Sequence, residues 1–296
     1  MKHIIPSDLS TGELHQILLG TVAPRPIAFA STISAKGEVN LSPFSFFNVF
    51  SANPPILIFS PARRVRDNTV KHTLENVSEI DEVAISIVDY AMVQQVSLAS
   101  TEYSRGVNEF DKAGFTATPS QVITPPYVEE SPVSYECKVL EVKSLGSDGG
   151  AGNLVICEVV MIHISEHIYT NQSIDPLKLD SVARLGGNWY SRVTKDGLFE
   201  VAKPLQSKGI GIDKIPKSIR HSSILTGNEL GMLGNVEELP DELELSKFAS
   251  LPEVSSILQD ADTDPDVRID ELHKLASKFL SQGEVLSAWK VLLQDY

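Results

Sequence analysis

The chain of 296 residues is 42% hydrophobic and 22% charged, and its formal net charge is −14. This composition allows a sizeable buried core, and the length suits one large domain or one domain with an appendage. The acidic balance argues against nucleic acid or an anionic membrane surface as a partner, and no run approaches the ~20 apolar residues of a membrane span.

The N-terminal part of the chain predicts a helix followed by three strands. A cap and the helical spacing of Leu14, Ile17 and Leu18 predict a short helix over residues 7–19. β-Branched and aromatic residues then fill two runs separated by a turn that contains Gly37, which is typical of a β-hairpin. The predicted strands are 22–34, 39–50 and, after Asn53-Pro-Pro55, 56–60.

The second predicted strand is polar for a segment so rich in phenylalanine. Ser42, Ser45, Asn48 and Ser51 punctuate a run with four phenylalanines. Hydroxyls and an amide among aromatic rings suit a flat ligand whose rim carries donors and acceptors. They equally suit a barrel strand with one solvated side, so residue chemistry alone leaves both interpretations open.

A basic loop precedes the next predicted helix. Arg63, Arg64 and Arg66 lie just before residues 67–80, whose apolar side chains repeat at helical spacing. The start of a helix next to cations is a good place for a phosphate. A solvated surface loop is the alternative, and the three arginines cannot all face one ligand.

Further along, strands outnumber helices. The connection 146–152 is rich in glycine, but it lacks the spacing of a dinucleotide-binding loop and no helix follows it. Strands at this spacing favour an antiparallel barrel over a doubly wound sheet. The predicted elements are strands 83–88, 133–145 and 154–164, helix 92–99, and a loop with a short helix over 103–114.

The cysteines and the N-terminus bear on the cellular compartment. Cys137 and Cys157 lie in apolar strand-like runs, which is typical of buried free thiols. Residues 1–6 carry neither the apolar region nor the cleavage site of a secretory signal peptide. We therefore expect a cytoplasmic protein with free thiols.

From about residue 201 the composition changes. Residues 203–234 look irregular and are expected to form a long arm, which could pack over the barrel. Residues 236–271 hold twelve Asp or Glu against Lys247 and Arg268, and an acidic run of this kind is usually a solvated face. Two amphipathic helices follow Asp264-Pro265. They suit an accessory helical hairpin, a dimer arm or a docking surface for a partner.

Several motifs together resemble a known family. They are Arg25-Pro-Ile-Ala-Phe-Ala-Ser-Thr32, Asn40-Leu-Ser-Pro-Phe-Ser-Phe-Phe-Asn48, Asn53-Pro-Pro55, Lys71-His-Thr73 with Asn76, and Arg184-Leu-Gly-Gly187 with Tyr190. In this order they resemble the flavin-reductase-like, FMN-binding split-barrel family, which includes flavoredoxins. The resemblance is collinear over roughly residues 10–195. It implies a mainly β fold, an antiparallel split β-barrel over residues 1–200 with peripheral helices, and it leaves residues 201–296 as an arm plus an acidic helical C-terminal extension.

The resemblance also implies an FMN site. Groups around 30–32 and 45–48 would meet the polar edge of the isoalloxazine ring, a cluster at residues 60–73 would meet the ribityl phosphate, and Tyr190 would lie beside the ring or close the site from a second subunit. Two of these residues could have a structural role instead. Arg25 could pair with a carboxylate, and Asn48 could satisfy the backbone at a β-bulge. The implied contacts are Arg25, Ala30, Ser31, Thr32, Ser45, Phe46, Asn48, Ser60, Arg63, Lys71, Thr73 and Tyr190.

The function that the resemblance implies is that of a homodimeric flavin reductase or flavoredoxin-like oxidoreductase, with hydride transfer from NADH or NADPH to FMN at the subunit interface. The cofactor would carry the chemistry, so no acid–base triad is required. The alternatives are a non-enzymatic FMN electron carrier that a partner protein reduces at the acidic extension, and a structural protein that has lost the flavin. A pyridoxamine-phosphate oxidase fits less well, because residues 25–27 and 43–48 match the flavin-reductase pattern.

Individual residues qualify this prediction. His163 on an apolar strand is more often a satisfied core residue than a nicotinamide contact, and the histidines and cysteines form no metal-ligand pattern. His72 replaces an acidic residue that is usual in the family, which would alter the phosphate contacts. Cys157 stands where glycine is common, which would crowd the approach to the ring.

Overall fold

The computed structural model describes residues 1–201, 208–259 and 264–295. The chain divides into two compact units, Met1–Phe199 and Glu200–Tyr296. Each unit has a hydrophobic core of its own.

A seven-stranded antiparallel sheet forms the centre of the first unit. In sheet order its strands are β2 (Val39–Phe44), β1 (Ala28–Ile33), β5 (Glu82–Ile87), β8 (Val133–Ser144), β9 (Asn153–Ile164), β4 (Pro55–Phe59) and β3 (Phe47–Ala52). The short strands β6 (Ala117–Thr118) with β7 (Tyr127–Val128), β10 (Tyr169–Thr170) with β11 (Ser173–Ile174), and β12 (Val182–Arg184) with β13 (Tyr190–Arg192) form three further pairs. The antiparallel, mainly β architecture is therefore confirmed.

The two edges of the sheet are consecutive in the chain. Only Ser45 and Phe46 separate β2 from β3, so the ends of these edge strands lie at most ~11 Å apart. The sheet must therefore curl. The Phe44 and Phe59 ring centroids are 5.4 Å apart across this gap. No ladder joins β2 to β3, which leaves the curled sheet open on that side.

The single strand predicted over residues 39–50 is wrong. Residues 39–44 pair with β1, whereas residues 47–52 pair with β4, at the other edge of the sheet. One straight strand cannot reach both partners, so the chain breaks at Ser45-Phe46. The predicted hairpin of β1 and β2 is present, and Gly37 has a φ of +82° in its turn.

Helices cover both faces of the sheet. Along β1, Ala28 and Ala30 face the core beneath α2, whereas Phe29 faces the core that contains α3 and α4. The helices of this unit are α1 (Thr11–Thr21), α2 (His72–Glu79), α3 (Val93–Ala99), α4 (Glu109–Ala113) and α5 (Pro176–Leu179).

The start of α2 differs from the prediction. The helix expected over residues 67–80 begins at His72, because Asn68 has a φ of +57° and the Asp67 carboxylate accepts hydrogen bonds from the backbone and hydroxyl of Thr69. These contacts hold residues 67–69 in a turn that competes with the helix. As a result, Lys71 lies at the helix start instead of inside the first turns.

Cys137 and Cys157 are buried free thiols, as predicted. Burial raises the pKa of Cys137 well above its usual value and the pKa of Cys157 to about 12. Both thiols are therefore protonated and unreactive at neutral pH.

Residues 208–234 contain two short α-helices, Lys217–Arg220 and Gly227–Gly234, that the prediction of an irregular arm over 203–234 did not include. Residues 203–207 lie outside the described residues. Ile219 and Leu233 are buried in the core of the second unit, and the Trp289 indole donates to the Leu233 carbonyl at 3.0 Å. The two predicted amphipathic helices are present as the last two of this unit. Its helices are α6 (Lys217–Arg220), α7 (Gly227–Gly234), α8 (Glu242–Ala249), α9 (Pro252–Gln259), α10 (Pro265–Ser281) and α11 (Val285–Leu292).

Candidate functional site

A small polar cleft lies where the start of α2 meets β2 and the segment that follows α3. It is lined chiefly by polar and charged side chains, among them Ser42, Arg64, Lys71, His72, Glu102 and Tyr103. Loops hold most of these groups, while the sheet and α2 provide the rigid frame.

Lys71 is the exceptional residue of this cleft. Its side chain is half-buried, yet among the described residues it forms no ion pair or hydrogen bond through its ammonium. Burial and then the neighbouring charge of Arg64 lower the pKa of Lys71, against an opposing effect of Glu102. A half-buried cation without a partner costs free energy that a bound anion would offset.

The helix that follows Lys71 strengthens this local preference for an anion. No side chain of the described residues caps the start of α2. The amides of its first turn point out of the helix and carry the positive end of its dipole. Lys71 therefore stands next to these amides at the start of α2, an arrangement that suits a phosphate.

Arg64 lines the cleft, whereas the predicted Arg63 does not. Arg64 Nε donates to Glu102 at 2.8 Å, and its Nη1 donates to the Thr69 hydroxyl at 2.8 Å and to the Val70 carbonyl at 2.6 Å. Arg63 instead donates to the side chain and the backbone carbonyl of Asn68, at 2.6 and 2.7 Å. The Arg63 guanidinium therefore stabilises the loop of residues 63–68, and its position does not support a role in cofactor binding.

Thr73 adjoins the cleft, but its hydroxyl points inward. It is fully buried and donates to Asn40 Oδ1 at 2.7 Å; Asn40 Nδ2 in turn donates to Glu109 Oε1 at 2.9 Å. The Leu41 amide donates to the other Glu109 oxygen at 2.9 Å. Burial is the main cause that raises the pKa of Glu109, and these hydrogen bonds oppose it. The network joins α2, β2 and α4 into one wall.

The β1 residues of the predicted ring site are inside the protein. Ala30 lies in the core beneath α2, and Thr32 accepts a hydrogen bond from Asn76 Nδ2 at 3.1 Å. Ser31 is also buried, and its Oγ is without a hydrogen-bond partner. None of the three side chains is exposed to a ligand in this conformation.

Ser45, Phe46 and Asn48 lie at the open side of the curled sheet, where β2 passes into β3. Phe46 is exposed, and so are Val49 and Phe50 farther along β3. Asn48 is exposed, and its Oδ1 accepts a hydrogen bond from the Val49 amide at 2.8 Å. This bond does not use the side-chain NH2 of Asn48. This edge combines aromatic rings with polar groups on an exposed surface.

Arg25 has a structural role. Its buried guanidinium donates to the carbonyls of Leu19, Val22 and Leu185 at 2.7, 2.5 and 3.0 Å, and Nε lies 3.4 Å from the Ser45 hydroxyl. Burial, and secondarily the charge of Arg184, lowers its pKa. These contacts accord with the structural alternative, although the partners are carbonyls and a hydroxyl instead of a carboxylate.

Ser60 and Tyr190 lie apart from the residues that line the cleft. Ser60 is buried, and its amide donates to the Phe46 carbonyl at 2.8 Å. Tyr190 packs under the Arg184 guanidinium, 4.5 Å from its ring centroid, and lines a second cavity of about 520 Å³ with Tyr90 and Arg192. Of the predicted contacts, therefore, only Lys71 and Thr73 line the cleft.

His163 is held by a buried carboxylate. Its Nε2 lies 2.7 Å from Glu136 Oε1, and its ring stacks on Tyr127 at 4.5 Å. Glu136 also accepts from the amides of Gln121 and Val122, both at 2.7 Å. Burial would raise the pKa of Glu136, but these hydrogen bonds outweigh it and lower the pKa. The interpretation of His163 as a satisfied core residue accords with this geometry.

No group of three or more His, Cys, Asp or Glu in the described ranges is arranged to hold a metal ion. None of the helices described is long and apolar enough to cross a membrane.

Most of the residues that line the cleft were not among the predicted contacts, and Arg64 and Glu102 are the two with opposite charges that form an ion pair. Arg64 belongs to the basic loop, but an irregular loop does not show which side chains face inward. Glu102 lies 38 residues from Arg64 in the sequence, and no local pattern marks its approach.

The model of the flavin reductase like domain matches residues 20–178. The chain belongs to this family. A protein of uncharacterized function from Halalkalibacterium halodurans is 39% identical over 189 residues, which are 63% of this chain and 90% of that protein. Flavin is therefore the cofactor class that the family supports, and the predicted resemblance is confirmed.

Solved structures agree with the family. Nitrilotriacetate monooxygenase component B from Bacillus cereus has a TM-score of 0.64 at 30% identity, with 68% of this chain and 98% of that chain covered. A candidate flavin reductase with a split barrel domain from Shewanella frigidimarina has a TM-score of 0.57 at 25% identity, with 68% and 100% covered. The first unit is thus similar in fold to split-barrel flavin proteins. The family match ends before the second unit begins.

Proposed function

We propose that this flavin reductase-like protein binds FMN and catalyses hydride transfer from NADH or NADPH to it. The observation that carries the proposal is the half-buried, unpaired ammonium of Lys71 at the uncapped start of α2. A phosphate there would offset the burial of Lys71 and satisfy the first amides of α2.

FMN is favoured over FAD by the small size of the cleft, which has a cavity volume of about 20 Å³. Ala99 and Tyr103 are among the residues that enclose it, next to Lys71. A terminal phosphate fits such a corner better than a pyrophosphate that continues to an adenosine.

The ring of the flavin would lie along the exposed edge between β2 and β3. Ser45 and Asn48 would meet its polar rim, and Phe46 would pack against its apolar part. When bound, the flavin supplies the redox chemistry by accepting a hydride at N5 from nicotinamide C4. The protein then has to hold the phosphate, orient the ring and leave room for the nicotinamide.

A second copy of the chain is part of this proposal. Val49 and Phe50 are 64% and 63% exposed on β3, an edge strand whose backbone is open to pairing. Apolar side chains on an edge strand suit burial in a homodimer, and a second subunit would cover the open ring site. The free thiols suit a reducing compartment, so we place the dimer in the cytoplasm.

The test is a visible spectrum of the purified protein, followed by anaerobic addition of NADH or NADPH. A yellow protein that bleaches with either nucleotide supports the reductase. A yellow protein that stays oxidised contradicts nicotinamide dependence and favours an electron carrier that a partner reduces, for which the acidic second unit is a suitable docking surface. A colourless protein that ignores added FMN contradicts the flavin function.

A further inference from the structure

The carboxylate of Glu102 stands on the wall of the Lys71 cleft, where the proposed function needs positive charge. Its Oε1 accepts from Arg64 Nε at 2.8 Å, and its Oε2 accepts from Arg66 Nη2 at 3.1 Å. Arg64, which lines the cleft, and Arg66 of the same loop are therefore already paired with an internal anion.

We infer that Glu102 competes with the flavin phosphate for Arg64 and thereby makes bound FMN exchangeable. The inference rests on the function proposed above. It assigns to Glu102 a role in setting affinity, and it assigns no part in the chemistry of the flavin.

The charges around the cleft support this competition. Arg64 and Lys71 provide two formal positive charges, while Glu102 and the buried Glu109 carry two carboxyl groups. Such a lining is close to neutral, whereas a flavin phosphate brings up to two negative charges. Lys71 and the α2 amides would therefore supply most of the attraction, with Glu102 opposing it.

The hydrogen bonds of Arg64 show why release of Glu102 matters. Arg64 Nη1 is fixed by Thr69 and Val70 of its own loop, and its Nε faces Glu102. A phosphate can gain this Nε–H only if Glu102 turns away. The Glu102 side chain is 42% exposed, so it can turn toward solvent. The ion pair between Arg64 and the phosphate would then replace the ion pair between Arg64 and Glu102. The net gain in affinity is therefore small.

The Glu102 side chain does not take part in the packing of the core. Its hydrogen bonds within the described residues are to Arg64 and Arg66, and they are the main cause that lowers its pKa; the nearby charge of Lys71 acts in the same direction. It is consequently ionised at neutral pH. Replacing it would remove a negative charge from the cleft without opening a cavity in the core.

The test compares FMN with riboflavin, which lacks the phosphate, in titrations of wild-type protein and Glu102→Gln at low ionic strength. Quenching of flavin fluorescence reports the two dissociation constants. For Glu102→Gln we expect the dissociation constant of FMN to fall about tenfold and that of riboflavin to stay unchanged. Glu102→Ala should shift FMN in the same direction, which separates loss of charge from any contact made by the new amide.

Glu75→Gln is the matched control, because Glu75 pairs with Arg105 on the surface and does not line the cleft. It should leave both affinities unchanged. Equal or weaker FMN binding by both Glu102 variants, or an equal gain for riboflavin, would overturn the inference while the flavin function stands. Failure of every protein to bind either flavin would overturn the proposed function and the inference with it.

Discussion

Arg25 lies in the stretch that resembles a flavin-binding motif, and its guanidinium is used inside the fold. It joins the end of α1 to Leu185 through three carbonyls, and it lies within hydrogen-bonding distance of Ser45. A buried arginine with these partners is a structural tie between segments that are distant in sequence.

Arg25→Met should therefore lower the free energy of unfolding by about 2–4 kcal/mol, because three carbonyls lose the donor of a part-buried hydrogen bond. Chemical denaturation provides the measurement. Arg66→Met is the control and should change stability by less than ~0.5 kcal/mol, since the Arg66 side chain is 72% exposed. Unaltered stability of Arg25→Met together with a large loss of FMN affinity would show that Arg25 contacts the ligand instead.

At the level of single residues, only part of the candidate site could be predicted from the sequence. Lys71 was predictable because a cation at a helix start has a local signature. The hydroxyl of Thr73 was not, because its direction depends on Asn40, which is 33 residues away. The sequence could not distinguish Arg63 from Arg64 for a related reason, since contacts with Asn68 and Glu102 decide which guanidinium lines the cleft.

At the scale of single elements, each of the two units contains a helix that begins with a capping box. Ser10 with Glu13 forms a capping box at α1, and Thr226 with Glu229 forms one at α7. Thr226→Ala should destabilise the second unit by about 1 kcal/mol, because the Glu229 amide loses its acceptor.

Hydrogen exchange localises this effect. Faster exchange should be confined to the second unit in Thr226→Ala and to the first unit in the matched variant Ser10→Ala. If either substitution raised exchange equally in both units, the division of the chain at residues 199 and 200 would not describe independent folding units.

Elements with strong local patterns were predictable, and those that depend on partners were not. The long strands β8 and β9 carry enough apolar and β-branched residues to be recognised directly. The break between β2 and β3 follows from pairing with β1 and β4 at opposite edges of the sheet, which periodicity does not reveal. The short helices α6 and α7 were missed because their glycines and nearby prolines resemble a loop, although the capping box at Thr226 was a usable signal.

At the scale of the whole molecule, the proposal requires a second subunit. Phe50→Glu places a charge on the exposed face of β3 and should shift the protein from dimer to monomer in sedimentation velocity. FMN affinity should fall with it, because the open ring site would lose its cover.

Leu98→Glu is the control, since Leu98 is 47% exposed on α3 and lies outside the β3 edge. It should remain dimeric. A Phe50→Glu protein that dimerises as tightly as the wild type would place the interface elsewhere.

The central claim is that the Lys71 cleft holds the phosphate of a flavin, and parallel titrations with FMN and riboflavin test it most directly. Wild-type protein should bind FMN at least about tenfold more tightly than riboflavin, and Lys71→Met should lose most of this preference. Lys36→Met, in the exposed turn between β1 and β2, should keep the wild-type preference. An undiminished preference for FMN in Lys71→Met would contradict the account and move the phosphate to another part of the protein.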